Sequence, residues 1–580
     1  MKFVQAARIF EKIEVESSRN TITQLFAELL QQASAQEAQI ISYLSLGALF
    51  PPYKTLQFNI AKKGIISIIA KALQQSDQVV IGELQNLGDL GSVIAQQWKQ
   101  EGQDVSLQEV YDSLVACAQI AGTGSTEKKQ QSLVDLLQRV DASSAKYIIR
   151  IVAGTLRLGF SDMTVLDALS WMQAGDKSLK KKLEHAYNVC ADLGLVSYTL
   201  KSQGIEGIEN MQIQVGIPIR PASAERLSSA QAIIDKLGDC IAQPKLDGFR
   251  VQVHVDMQNA EKKVHFFSRN LLDMSDMFPD LKQLVQQLDV QSLIFEGEAI
   301  VYDADTDTFL PFQQTVKRKR KHGVEQASQE LPLRLYIFDV LYLNGKSLLD
   351  KTHKERRVDL QNLLQNVTDE SLQIIEETQM HTAEQLHAYF LLNLHAGLEG
   401  LVVKREDAIY QPGKRNFNWI KLKRHARGKL VDTIDCVILG YYYGSGKRSQ
   451  FGIGAFLVGV YNQDLDQFQT VAKIGTGMKD HEWKDLKQRC ENIRQETQPV
   501  GVQVNKDLYP DVWVVPEIVC TIQSEEITQS PVHTAGKTDS VLGLALRFPR
   551  FITYRSDKSS QDATTVEELK SLYKQQTIEK

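Results

Sequence analysis

Near Gly216-Ile217-Pro218-Ile219-Arg220-Pro221 the hydrophobic pattern of this chain changes period. Upstream, segments such as 23–30, 105–121 and 146–154 repeat apolar residues every three or four positions, which gives a helix one apolar stripe. Phe50-Pro51-Pro52 and Gly122-Thr123-Gly124 read as turns between such helices. Downstream, to about Arg427, strand-like runs alternate with helices. Arg250-Val251-Gln252-Val253-His254-Val255 alternates polar and apolar, whereas 335–343 and Gly400-Leu401-Val402-Val403-Lys404 are richer in apolar residues, as interior strands are. After Lys429, strand candidates dominate (436–443, 455–461, 469–474 and 512–521), and a short helix over 566–575 closes the chain. No internal repeat holds a fixed period. A single core does not serve 580 residues, because cores stop growing at about 250–300. The spacing therefore predicts a multidomain protein: all-α over 1–212, α+β over 213–427, and a β-rich module over 428–580. A small barrel of the OB-fold kind suits the last pattern.

With 43% hydrophobic and 24% charged residues, the composition is that of a globular protein and excludes a fibrous or disordered one. The formal net charge of -5 gives no global sign of nucleic-acid binding, so any polyanion site has to come from local basic clusters. No run approaches the ~20 apolar residues of a membrane span, and none follows Met1 that would serve as a signal peptide. Cysteines 117, 190, 240, 436, 490 and 520 stand far apart without a Cys-x-x-Cys pair. That spacing speaks against structural zinc and a disulfide framework, and for a reducing, cytoplasmic home.

The chemistry centres on Pro244-Lys245-Leu246-Asp247-Gly248-Phe249-Arg250. A catalytic lysine needs surroundings that favour its neutral amine. Asp247 could hold or deprotonate that amine, Gly248 permits a tight turn, and Arg250 can meet a phosphate. Alone, Lys-x-Asp-Gly also reads as a surface turn. Ordered partners follow: Phe266-Phe267-Ser268-Arg269-Asn270, Phe295-Glu296-Gly297-Glu298-Ala299, Tyr336-Ile337-Phe338-Asp339, Glu399-Gly400, and Arg415 to Trp419-Ile420-Lys421-Leu422-Lys423. In a strand, Lys421 and Lys423 share a face, where both could meet one triphosphate. Taken one at a time, these residues also read as strand-end charges, core aromatics and a solvated edge.

The ordered set resembles the nucleotidyltransferase motifs of the ATP-dependent DNA ligases. Pro311-Phe312-Gln313, Asn344-Gly345, Ile474-Gly475-Thr476-Gly477 and the run Leu546-Arg547-Phe548-Pro549-Arg550-Phe551 to Arg555-Ser556-Asp557-Lys558 resemble them too. Upstream, Gly124-Ser125-Thr126-Glu127-Lys128-Lys129 and Leu156-Arg157-Leu158-Gly159 resemble the helical DNA-binding domain of the replicative cellular ligases. The resemblance covers nearly the whole chain. It implies a helical DNA-binding domain, an adenylation domain and an OB-fold domain that together seal nicks in duplex DNA. Lys245 would attack ATP and carry AMP as a phosphoramidate. Gln243, Arg250, Arg269, Glu298, Phe338, Arg415, Lys421 and Lys423 would bind ATP, with Phe338 stacked on adenine, and Glu298 and Glu399 would hold Mg²⁺. Arg547, Arg550, Asp557 and Lys558 would orient the leaving pyrophosphate. Lys128, Lys129, Gly154, Arg157 and Gly159 would contact DNA. Two departures stand out. Related enzymes often carry Glu two residues before the nucleophile, where this chain has Gln243, and Pro221-Ala222-Ser223-Ala224 lacks an expected bulkier pair.

The run Lys317-Arg318-Lys319-Arg320-Lys321 reads as a DNA-phosphate contact, with a solvated loop or a nuclear targeting signal as alternatives. Rival readings are an RNA ligase, an mRNA capping enzyme, an NAD-dependent ligase, or a non-catalytic DNA scaffold on the same fold. A capping enzyme leaves the helical region unexplained, and an NAD-dependent ligase would bring a zinc-binding cysteine cluster. A monomer is expected, located with the nucleoid, or nuclear in a eukaryotic cell, with a weak lean to a bacterial or archaeal source. No clamp-binding peptide is evident, which leaves a sliding-clamp partner open.

Overall fold

The computed structural model describes residues 1–87, 89–159, 161–258, 263–303, 308–310, 315, 318, 324–396, 398–423, 433–443, 451–524 and 526–578. Pro311-Phe312-Gln313, the basic run apart from Arg318, and the expected boundary at 427/428 lie outside the described residues. Arg318 is buried, and its guanidinium donates to Asp280 at 2.7 Å.

Helices fill the first region, from Phe3–Glu14 to Leu193–Glu209. Their starts are set locally. Ser34 and Ser106 accept from the third residue onward, while Glu37 and Glu109 reach back to the N–H of the cap, satisfying donors that a helix start orphans. Asp192 caps Leu193–Glu209 through Leu195 N–H at 2.9 Å, and also accepts the hydroxyls of Tyr43 and Tyr53 at 2.6 Å each. One buried carboxylate thus ties three segments together. The apolar stripes meet in a single core that runs from Phe3 and Phe10 to Val196 and Leu200.

The middle region contains β1 (Ser223–Arg226), β2 (Cys240–Lys245), β3 (Phe249–Asp256), β4 (Lys263–Ser268), β5 (Ser292–Asp303), β6 (Thr308–Phe309), β7 (Leu333–Leu343), β8 (Lys346–Ser347), β9 (Leu372–Ile374), β10 (Thr378–Met380), β11 (Gly400–Lys404) and β12 (Arg415–Lys423). They form two sheets, one ordered β1-β12-β11-β2-β10 and the other β4-β3-β5-β7-β8, with β6 on β5 and β9 on β7. Strand side chains alternate between faces. Cys240, Ala242, Leu401, Val403, Ile420 and Leu422 therefore enter one core with residues of helices Ala230–Leu237 and Ala383–His395. Gln243, Lys245, Lys404, Trp419, Lys421 and Lys423 take the opposite face. On the second sheet Val251, Val253, Phe295 and Ala299 pack into another core, which leaves Arg250, Gln252, Glu296 and Glu298 on the other side. The polar faces oppose each other: Lys404 Nζ reaches the Phe338 carbonyl at 3.1 Å, and Arg250 reaches that of Ala222 at 2.8 Å.

The last region contains β13 (Thr433–Tyr442), β14 (Ala455–Asn462), β15 (Gln467–Ile474), β16 (Arg494–Gln495), β17 (Val502–Gln503), β18 (Val512–Val514), β19 (Val519–Gln523), β20 (Glu526–Ser530), β21 (Gly543–Arg547) and β22 (Arg550–Tyr554), and ends in helix Val566–Ile578. The single strand expected over 512–521 is two strands, β18 and β19, both paired antiparallel with β13. Between them Pro516, which has no N–H to give a ladder, interrupts the pairing.

The three regions touch one another. Arg19 bonds Asp466 at 2.8 Å, Arg269 bonds Asp562 at 3.2 Å, Arg415 bonds Glu568 at 2.6 Å, and Lys414 pairs with Glu184. An apolar seam joins Val189 and Cys190 to Ile219, Ala222, Ile294 and Leu341. All six cysteines are free and buried. Among the described residues, no helix is long and apolar enough to cross a membrane.

Candidate active site

Lys245 ends β2, opposite Gly400 at the start of β11, and Lys423 ends β12 opposite the same glycine. Glu399, immediately before β11, therefore lies between two lysines, and each ammonium donates to one of its oxygens. Gly400 makes this register possible: its φ is +144°, and a Cβ there would lie 2.1 Å from the Leu422 carbonyl oxygen. Burial raises the Glu399 carboxyl, but the two ammoniums outweigh it and hold the group well below the usual carboxylate range. For Lys245, burial works against the charge, yet Glu399, then Glu298 and Asp247, raise its pKa overall. Burial and repulsion from Lys245 push Lys423 down to about 8.

The turn after Lys245 brings Gly248 against β5. A Cβ on Gly248 would lie 2.4 Å from the Ala299 carbonyl oxygen, so only glycine fits there. Its N–H donates to Glu298 at 3.1 Å. Burial lifts Glu298 to about 7, against the pull of Lys245 and Arg250. Asp247 is exposed, and the partner that holds Lys245 is Glu399.

Three family models match the chain in order: a DNA ligase N terminus over residues 2–170, an ATP dependent DNA ligase domain over 221–423, and an ATP dependent DNA ligase C terminal region over 449–558. A probable DNA ligase of Dictyoglomus turgidum is 42% identical, over 100% of this chain and 99% of that protein. A probable DNA ligase of Persephonella marina is 36% identical, over 99% of each, and a DNA ligase of Sulfurisphaera tokodaii is 35% identical, over 99% of this chain and 98% of its own. The chain belongs to the ATP-dependent DNA ligases. It is a multidomain member, helical at the amino end and sheet-rich at the carboxyl end.

In this ligase the remaining residues expected at the nucleotide site are already engaged with protein partners. Arg250 donates to Glu296 at 2.8 Å and lies 5.3 Å from the ring of Phe338. Phe338 meets Trp419 edge to face at 6.1 Å. Gln243 is buried and donates to Glu377 at 2.5 Å. Arg415 and Lys421 share Glu568 of the carboxyl-terminal helix, and burial with repulsion from Arg415 and Lys558 drives Lys421 well below its ordinary pKa. Arg269 is held by Asp562.

The late motif divides. Lys558 pairs with Asp435, and Arg555 is held by Asp557 at 2.8 Å, near enough to Glu399 and Asp247 to interact with both. Arg547 is elsewhere, paired with Glu526, and Arg550 is exposed. Of the residues expected to contact DNA, Lys128 is exposed, whereas Lys129 turns inward and donates to the Phe58 carbonyl at 2.7 Å. Adjacent helical positions are about 100° apart, so the pair cannot share a face. Arg157 lies in the left-handed region at φ +61° beside Asp89, at 3.5 Å. Gly154 (φ +70°) is open, and Gly159 packs on Val500. Glu377, Arg555, Glu568 and Asp562 also meet these residues, at positions to which the motifs above give no role. Only Arg555 carried a signal, its place inside the late motif.

Proposed function

We propose that this ligase seals nicks in duplex DNA through a covalent Lys245–AMP intermediate, as part of replication, repair and recombination. The observation that carries the reading is Glu399 shared between Lys245 and Lys423 in a groove between two sheets. Lys245 Nζ, once neutral, attacks the α-phosphorus of ATP; a P–N bond forms and pyrophosphate leaves. The AMP passes to the 5′-phosphate at the nick, and the 3′-hydroxyl then displaces it, closing the phosphodiester. Lys423, Lys421, Arg415, Arg250 and Arg269 neutralise the phosphates as charge shifts. Gln243 reads the base edge, and Phe338 stacks on it.

The donor set suits Mg²⁺, which prefers one or two carboxylates plus substrate phosphates and water to a closed protein cage. Glu298 and Glu399 supply two carboxylates, and no group of three or more His, Cys, Asp or Glu among the described residues forms such a cage. Bound there, the ion would neutralise phosphate charge. Arg555 and Lys558, with Asp557, orient the pyrophosphate, and Arg547 and Arg550 join them when the last region turns. We assign residues 1–212 to DNA binding, 213–427 to adenylation, and 428–580 to an OB-fold module. In the first unit Lys128 and Gly154 would face DNA, Gly159 would join them only on leaving Val500, and Lys129 and Arg157 brace that surface from beneath. A monomer in the cytoplasm, on nicked DNA, fits this reading.

Incubation with α-labelled ATP, followed by denaturing electrophoresis, tests it. The unmodified chain should carry an acid-labile, base-stable AMP label, and Lys245→Ala should carry none while still binding nicked DNA. A label of that chemistry on Lys245→Ala would refute the assignment.

A further inference from the structure

Behind the proposed base-reading position lies a hydrogen-bonded chain that the reaction does not use. Gln243 shares the groove face of β2 with Lys245, two residues along. Its Nε2 donates to Glu377 Oε1 at 2.5 Å, and His353 Nε2 lies 2.7 Å from that same oxygen. Arg357 Nε stands 3.4 Å from the other oxygen and donates through Nη2 to the Ile375 carbonyl at 2.6 Å. Gln243 and His353 are both buried, at 2% and 3% exposure, and Glu377 is largely covered. Burial would raise the Glu377 carboxyl, but His353, Lys404 and Arg357 outweigh it and keep the group below its ordinary range.

An ionised carboxylate only accepts hydrogen bonds, whereas a glutamine amide has one end that donates and one that accepts. Glu377 therefore claims the donating end of Gln243 and leaves the carbonyl oxygen as the end offered to a ligand. A purine with an amine at ring position 6 donates to that oxygen. A purine with an oxo group at position 6 sets oxygen against oxygen, and the pair is repelled.

We infer that Glu377, backed by His353, is a positioning residue that fixes the Gln243 amide and so selects 6-amino over 6-oxo purine triphosphates. The inference rests on the Lys245 reading above and deepens it. The two partners of this amide–carboxylate pair stand 134 residues apart in the chain.

The test compares ATP with inosine triphosphate, both α-labelled, in forming the lysyl-nucleotide adduct on the full chain. The variants are Glu377→Gln, Gln243→Glu and the double swap. The unmodified chain should prefer ATP. In Glu377→Gln, residue 377 can donate as well as accept, and Gln243 is free to turn its amine outward. Labelling by inosine triphosphate should rise, and the ATP preference in kcat/KM should fall by about tenfold or more. A purely structural lesion would lower both rates and raise neither. Gln243→Glu sets two carboxylates in contact and should depress labelling by ATP. The double swap keeps one amide and one carboxylate in contact, so it should restore the ATP preference to within about threefold of the unmodified chain. Should Glu377→Gln fail to fold, the double swap alone decides. The inference is overturned if the unmodified chain labels equally with both nucleotides, if Glu377→Gln keeps its preference within about threefold, or if the double swap leaves the preference unrestored. An unmodified chain that forms no adduct at Lys245 would instead sink the ligase mechanism.

Discussion

The smallest side chain near Lys245 makes one of the strictest demands. Gly248 sits where β5 passes so closely that a methyl group would overlap the Ala299 carbonyl. Gly248→Ala should force the Lys245 turn away from Glu298, breaking the 3.1 Å bond from its N–H. Overpacking of this kind costs about 1–3 kcal/mol, and because it displaces Lys245, the proposed nucleophile, AMP labelling should fall roughly a hundredfold. Labelling at the normal rate would show that the turn adapts. The lysines of β12 make a different demand. Lys423 shares Glu399 with Lys245 and Lys421 shares Glu568 with Arg415. Replacing either by Ala should slow adenylation roughly 30- to 1,000-fold, the cost of about 2–4 kcal/mol of charge-assisted contact. Single-turnover rates unchanged in both variants would remove them from the site.

Between elements, ion pairs decide which helices meet. Glu14 ends helix Phe3–Glu14 and accepts from Arg150 at 2.8 Å, from Tyr147 at 2.8 Å, and from Lys146 at 2.8 Å, all on helix Ala142–Val152. Burial would raise its carboxyl, but Arg150 and Lys146 prevail and lower it to about 2 from 4.5. A carboxyl depressed in the folded state stabilises above its unfolded pKa, and that stabilisation is lost as pH falls through the folded value. The window here runs from about pH 5 down to about 2, and a shift of this size corresponds to roughly 3 kcal/mol. Glu14→Gln should therefore lower the denaturation free energy at pH 7 by a few kcal/mol, and by much less at pH 3. Equal losses at both pH values would mean that Glu14 acts through packing instead of charge.

For the whole molecule, the middle region meets the last one through ion pairs, and meets the helical one through an apolar seam together with the Lys414–Glu184 pair. Glu568, held at about 2 by Arg415 and Lys421 against the raising effect of burial, occupies cations assigned to the triphosphate. On the proposed assignment, ATP would reach them only once Glu568 of the carboxyl-terminal helix releases them. Against the helical region, by contrast, Ile219, Ala222 and Ile294 pack on Val189 and Cys190. A chain beginning at Gly216 should keep AMP labelling, because every residue assigned to the nucleotide lies downstream, but it exposes that seam and needs a solubilising detergent or the helical part in trans. Its sealing of nicked duplex should collapse at physiological salt, since phosphate contacts dominate affinity and set its salt dependence. Full sealing across a salt series would show the helical region to be dispensable for DNA.

What the sequence determined by itself was local. The 3.6 and 2.0 periods separated the helical region from the sheets, and alternation put Lys421 with Lys423, because backbone geometry alone decides which way successive side chains point. The Lys245 motif and its ordered partners were legible for the same reason: each is a short run of neighbours. Tertiary structure decided who pairs with whom. Glu399 holds Lys245 in place of the adjacent Asp247, Glu568 claims Arg415 from 153 residues away, and Lys129 turns into the core toward Phe58. These choices depend on which distant segments the closed chain brings within hydrogen-bond reach. An ion pair between remote segments leaves no periodic trace in the residues that make it, so folding of the whole chain had to settle it.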